Sequence, residues 1–126
     1  MNESSPSSAF LPLSDGRYKA TPLTRGPWDL KHQHAGPPIA LVLGAIERVA
    51  ADRHMAHISR LTANLFRPIP IAELSIEVNV DYAGRNSAHI SASLYAEDKE
   101  VARFTALAQR EINQPVSAGL PGHPLP

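Results

Sequence analysis

The chain has no cysteine. That excludes disulfides, thiol nucleophiles and cysteine-ligated metals. It has no excess of either charge: 12 Lys and Arg balance 12 Asp and Glu over 126 residues. No basic stripe stands out to track a nucleic-acid backbone, so no nucleic acid is expected as a partner. Long apolar runs are missing too. The stretch beginning at Ile39 stops at Glu47, far short of the roughly 20 residues that span a bilayer as a helix, so no membrane partner is expected. Met1 to Ser8 is polar and lacks the apolar core of a signal peptide, which makes a cytoplasmic protein the expectation. No Gly-x-Ser-x-Gly elbow occurs, and no phosphate loop or dinucleotide fingerprint. A serine hydrolase and a nucleotide-cofactor enzyme are therefore unsupported.

Proline, by contrast, is plentiful, at 12 residues. Pro6 and Pro12 lie in the leader, Pro37 and Pro38 head a helical segment, and Pro68 and Pro70 separate two extended ones. The last four, from Pro115 to Pro126, mark a tail with little to pack. Residues 1–9 are expected to form a disordered leader, 10–112 one domain, and 113–126 a Pro-rich tail or linker.

Within that domain one helix is predicted, starting at Gly36-Pro37-Pro38 and ending near Asp52 to His54. Proline suits the first helical turn, where its missing N–H would have no helical partner. Apolar residues lie on almost every side of the segment to Ala51, a pattern that predicts a helix enclosed by other structure. Extended segments surround it. Asp15-Gly16 predicts a turn between a strand at Phe10–Leu13 and another at Arg17–Thr21. Ile58 to Arg67 is an irregular strand stopped by Pro68. Leu74, Ile76, Val78, Val80 and Tyr82 alternate with polar residues, as do Ala88, Ile90, Ala92, Leu94 and Ala96. The last strand, from Val101 to Ile112, puts Ala102, Phe104, Ala106 and Ala108 on one face and Val101, Arg103, Thr105, Leu107 and Gln109 on the other. The small inward residues leave room for a helix. The predicted class is α+β, a single domain in which a curved antiparallel sheet wraps one long helix.

Asp15-Gly16, Gly26-Pro27-Trp28, Gln33-His34-Ala35-Gly36-Pro37-Pro38, Ala40-Leu41 and Arg67-Pro68-Ile69-Pro70 follow one another in this order. In that order and spacing the chain resembles the acyl-CoA thioesterase II (TesB-like) branch of the hotdog-fold thioesterases, over roughly residues 10–110. The resemblance implies a hotdog domain and thioester hydrolysis. It also implies pairing of two hotdogs, which in this branch usually stand in tandem on one chain. This sequence looks like the first of the two, with its tail where the connection would begin. Two departures stand out. Position 35 is Ala, where the branch often has Gly. The hydrolytic acid of the branch lies on the second half's helix, with the Thr and Gln that assist it, and Ile39 to Gly44 here contains no acid.

Thioester hydrolysis needs an activated water, a donor for the developing oxyanion and a slot for the acyl chain. Helix-start N–H groups can be that donor, because they lack helical partners and sit at the positive dipole end. Pro37 and Pro38 have none, which leaves Gly36, Ile39 and Ala40; Gly36 also permits close approach of a ligand. Asp29, His32 and His34 precede the helix and could orient or deprotonate water. His34 abuts the helix start and is the leading candidate. His32 and His34 lack a third metal ligand, so no metal is expected, and no cofactor is implied. Glu47 is the one acid in mid-helix. It could be a general base, or it could reach solvent or pair with Arg48 or Arg60. Asn64 on the next strand could touch the thioester. The candidate catalytic set is thus His34, Gly36, Glu47 and Asn64; the candidate substrate-binding set is Trp28, Ile39, Arg67 and Arg85, the arginines for CoA phosphates.

The expected function is hydrolysis of acyl-CoA-type thioesters to free acid and CoA. The alternative is a catalytically inactive hotdog half that binds acyl thioesters or serves as a dimerisation module. Expected partners are acyl-CoA or a related thioester, and a second copy of the chain or another hotdog domain.

Overall fold

A computed structural model describes residues 8–27 and 31–110. The leader up to residue 7, residues 28–30 (Trp28 and Asp29 among them) and the tail from residue 111 lie outside the described residues.

Strands β1 (Phe10–Pro12) and β2 (Arg17–Ala20) come first. Then follow a single 3-10 turn (Pro22–Thr24), helix α1 (Gly36–Ala51), and strands β3 (His57–Leu65), β4 (Glu73–Ala83), β5 (Ser87–Ala96) and β6 (Lys99–Gln109). All six strands form one sheet in the order β1-β2-β4-β5-β6-β3. Every pairing is antiparallel. The helix lies across β3, β4, β5 and β6. This is the layout that the resemblance implies.

Turn chemistry sets the register. Gly16 has φ +69° and its carbonyl accepts from the Ile76 amide at 2.9 Å. A Cβ there would lie 2.9 Å from the Ile76 carbonyl oxygen, so only glycine fits. Glu97 and Asp98 both have positive φ, which makes the two-residue turn that joins β5 to β6 with the right twist.

The core rests on the alternation predicted for β5 and β6: Ile90, Leu94, Ala102, Phe104 and their neighbours are buried against the helix. Three bulges modify it. One at Ser59 puts Ile58 and Leu61 on the same inner face, which explains the irregular start of β3. A second, between Val80 and Tyr82, turns Tyr82 outward, 62% exposed, with its ring edge-on to His89. The expectation that Tyr82 continues the inner face is corrected here, because one extra residue inverts every side chain after it. The third, opposite Leu94 and Tyr95, buries Val101 beside Ala102, although the alternation placed Val101 outward.

The helix differs from its prediction as well. A single stripe, Pro38, Val42, Ile46 and Ala50, is buried. Leu43, Gly44, Ala45 and Val49 are half-buried, and Ala40, Glu47 and Arg48 are exposed. One sheet covers one side of a helix, so the apolar outer flank is not enclosed within a single chain.

Candidate functional site

The loop before the helix is fastened to the Pro-rich connector between β3 and β4. The Gln33 amide donates to the Ile69 carbonyl at 2.8 Å, and its side-chain Nε2 donates to the Pro70 carbonyl, also at 2.8 Å. The Ile71 amide donates to the Lys31 carbonyl at 2.9 Å. On the other side, the His34 amide donates to the Thr24 carbonyl and the Gly26 amide to that of His32. Gly26 fits because a Cβ there would press on the His34 backbone at 3.1 Å. This explains why Arg-Pro-x-Pro and Gln-His-x-Gly-Pro-Pro occur together. Pro68 and Pro70 hold the connector extended, Ile69 is anchored in the core at 3% exposure, and the connector's carbonyls receive Gln33.

The helix starts with an open end. Ala35 caps it without a side-chain acceptor, and its first turn holds no acid. The Ile39 amide donates to the Ala35 carbonyl at 3.2 Å, so Ile39 is not the free donor that the sequence suggested. Ala40 lies where the ordinary i to i−4 ladder begins. The Gly36 N–H has no acceptor among the described residues and stays available at the positive end of the helix dipole. The His34 imidazole packs on Gly36, with Nδ1 and Cε1 3.6 Å from where a Cβ would be.

A groove of about 400 Å³ opens beside this corner, lined by Gln33, Ala35, Leu65, Phe66, Arg67, Pro68 and Ile69. Leu65 and Phe66 are 43% and 51% exposed, large apolar side chains in need of cover. Gln33 Oε1 is buried and has no hydrogen-bond partner among the described residues. Its sister Nε2 is committed to Pro70, which fixes the orientation of the amide. A buried acceptor without a donor costs roughly 1–3 kcal/mol, a cost that a bound donor relieves.

The candidates divide. His34 and Gly36 come together, and Arg67 reaches the groove. Ile39 is half-buried and packed on the core. Glu47 is exposed, about 16 Å down the helix axis from Gly36 at 1.5 Å per residue, and shares no cavity with it. Asn64 follows Leu61 and Ala63, which pack on the core from β3, so alternation turns it to the face away from the helix. Arg85 is in the β4–β5 turn, at the end of the sheet where β3 begins and not where it ends. Trp28 lies outside the described residues. Gln33 was overlooked as a site residue; only its place beside His34 in the motif marked it, since burial of one amide oxygen has no sequence signature. Among the described residues no three His, Asp or Glu side chains gather as metal ligands, and no helix is long and apolar enough to cross a membrane.

The sequence profile of the acyl-CoA thioesterase N-terminal domain matches residues 24–109, from the 3-10 turn to the end of β6. The chain belongs to this family. A comparison with curated proteins finds no match. Solved structures agree with the fold of this thioesterase-family domain. The PaaI protein of the Escherichia coli phenylacetic acid degradation operon is 17% identical, over 82% of this chain and 78% of that one, with a TM-score of 0.68. The TT0310 protein of Thermus thermophilus is 20% identical, over 81% and 90%, at 0.68. The smu.793 protein of Streptococcus mutans UA159, solved bound to acetyl CoA, is 14% identical, over 88% and 98%, at 0.67. At such identities the likeness is one of fold, and the fold is the hotdog.

Proposed function

We propose that this family member hydrolyses acyl-CoA-type thioesters to free acid and CoA. The observation that carries the reading is the corner beside the groove: a Gly36 N–H with no acceptor among the described residues, the His34 imidazole against it, and the buried acceptor Gln33 Oε1 on a residue that lines the groove. The acyl chain lies on Leu65, Phe66 and Ile69. Gly36 N–H donates to the thioester carbonyl oxygen and stabilises the oxyanion that forms as water attacks. His34 takes the water's proton and returns it to the departing thiolate. Gln33 Oε1 accepts from an amide N–H of the ligand's arm. The order of motifs supports placing the chain in the TesB-like branch, as the half that stands first. CoA released from short- and medium-chain acyl-CoAs, followed with a thiol reagent, tests the activity. No turnover above buffer would overturn it.

One observation favours a second reading. The first helical turn has no acid, as expected of a half that binds the thioester or a partner domain without turnover. Acyl-CoA bound but not hydrolysed would leave that reading standing.

The domain is also proposed to pair, with a second copy or with another hotdog. The nine-residue β3 is an open sheet edge, and the helix leaves an apolar flank half-covered. Both are liabilities in water. Sedimentation at micromolar concentration is expected to give twice the chain mass of 13.6 kDa; a monomer would contradict the pairing.

A further inference from the structure

Glu100 and Arg103 stand three apart on β6, a spacing that puts side chains on opposite faces of a regular strand. Here they meet, because the bulge opposite Leu94 and Tyr95 turns one extra residue, Val101, into the core. Glu100 thereby shares the outer face with Arg103. Arg103 Nη2 donates to Glu100 Oε1 at 2.7 Å, and its Nε donates to Oε2 at 3.1 Å. Two parallel charge-assisted bonds fix the plane of the guanidinium. Its central carbon lies 5.6 Å from the centre of the Phe66 ring, within the roughly 6 Å reach of a cation–π contact. Phe66 follows the last residue of β3, and its amide donates to the Val101 carbonyl at 2.9 Å. The bulge thus holds the Phe66 backbone and aims the pair that sits on its ring. Phe66 lines the apolar groove, whereas Arg103 is not among the lining residues. Bulges often re-aim a side chain next to a functional site.

We infer that Glu100 and Arg103 form a clamp that holds the Phe66 ring as a wall of the groove and so sets how strongly the groove favours one acyl length. This rests on the proposed reading of the groove as the acyl slot. Arg103 is a positioning residue: it acts through Phe66. A half-exposed ring at a strand end has several staggered rotamers open to it. A guanidinium held over one face selects among them. A ring held in place offers each added methylene of the ligand the same apolar surface; a loose ring must first be ordered by the ligand, which costs affinity.

The test measures binding of CoA and of S-alkyl-CoA thioethers, from ethyl to dodecyl, to the full chain by calorimetry. A thioether has no carbonyl to hydrolyse, so binding is read whether or not the protein turns thioesters over. In the unaltered protein affinity is expected to climb with chain length, by up to about fourfold per methylene, and then to level off. Arg103→Ala should lower the ratio of the best-bound thioether to CoA about two- to fivefold, the equivalent of ~0.5–1 kcal/mol, with CoA itself unchanged. Glu100→Gln should act in the same direction and less. Arg103→Lys should recover part of the ratio, because an ammonium keeps the ring contact but not the planar fork. Phe66→Ala should flatten the profile, and Arg103→Ala should add nothing in that background. A purely structural ion pair would move the denaturation midpoint and leave the ratio alone. A ratio unchanged in Arg103→Ala, or an equal fall with and without the Phe66 ring, overturns the clamp. The underlying reading fails differently: if no thioether binds more tightly than CoA to the unaltered protein, the groove is not an acyl slot and the clamp falls with it. Thioethers that obey the clamp while acyl-CoA is not turned over remove hydrolysis alone.

Discussion

Gln33→Met separates a structural amide from a ligand-reading one. In the free protein two terms oppose each other. Loss of the Nε2 donor to the Pro70 carbonyl, at 2.8 Å and part-buried, removes a hydrogen bond worth about 0.5–1.5 kcal/mol net. Removal of the buried, unpartnered Oε1 relieves a penalty of about 1–3 kcal/mol. The methionine chain has similar length and bends to fill the space. The sum predicts that stability in urea denaturation falls by no more than about 1 kcal/mol, or rises. Ligand affinity behaves differently. If an amide N–H of the ligand satisfies Oε1, its loss should weaken binding of CoA or a non-hydrolysable acyl-CoA about fivefold, the equivalent of ~1 kcal/mol. Destabilisation above about 2 kcal/mol would mean that the amide is a fully satisfied strut. Unchanged affinity would mean that the ligand does not use the acceptor.

Gly16→Ala should destabilise by at least about 2 kcal/mol in the same denaturation assay. Its left-handed backbone alone costs an L-residue ~1–2 kcal/mol, and the new methyl meets the Ile76 backbone oxygen at 2.9 Å. Gly84→Ala, with only ordinary contacts at 3.4 Å and beyond, is the control. His34→Ala should slow acyl-CoA hydrolysis by about 10²-fold or more with an unchanged circular dichroism spectrum; full activity would remove it as the base. A carboxyl titration by NMR should put Glu100 below the ordinary glutamate range, because the hydrogen bond from Arg103 favours its charged form. A carboxylate depressed in the folded state contributes stability at pH above its unfolded pKa, and that contribution is lost as pH falls through the folded value. Arg103→Ala should move Glu100 up toward the ordinary range, with the hydrogen bond from Ser93 still holding it down in part.

The strand pattern was legible because alternation on a half-buried sheet is a local property. β5 and the inner residues of β6 follow it from end to end. It failed where a bulge intervened, at Tyr82 and Val101, since an extra residue leaves no mark in composition. The helix was legible from its prolines and apolar length, but its enclosure was overestimated. Apolar content reports what must eventually be covered and not whether the same chain covers it.

Of the site, the sequence by itself determined the helix start and the two proline-bearing motifs, because proline and glycine fix the backbone wherever they stand. It could not determine that Gln33 ties those motifs together, that Asn64 turns to the face away from the helix, or that Arg67 and Lys99 line one cleft. Those are distances between residues far apart along the chain. Only the folding of the β3–β4 connector against the pre-helix loop, and of the β5–β6 hairpin beside it, decided them.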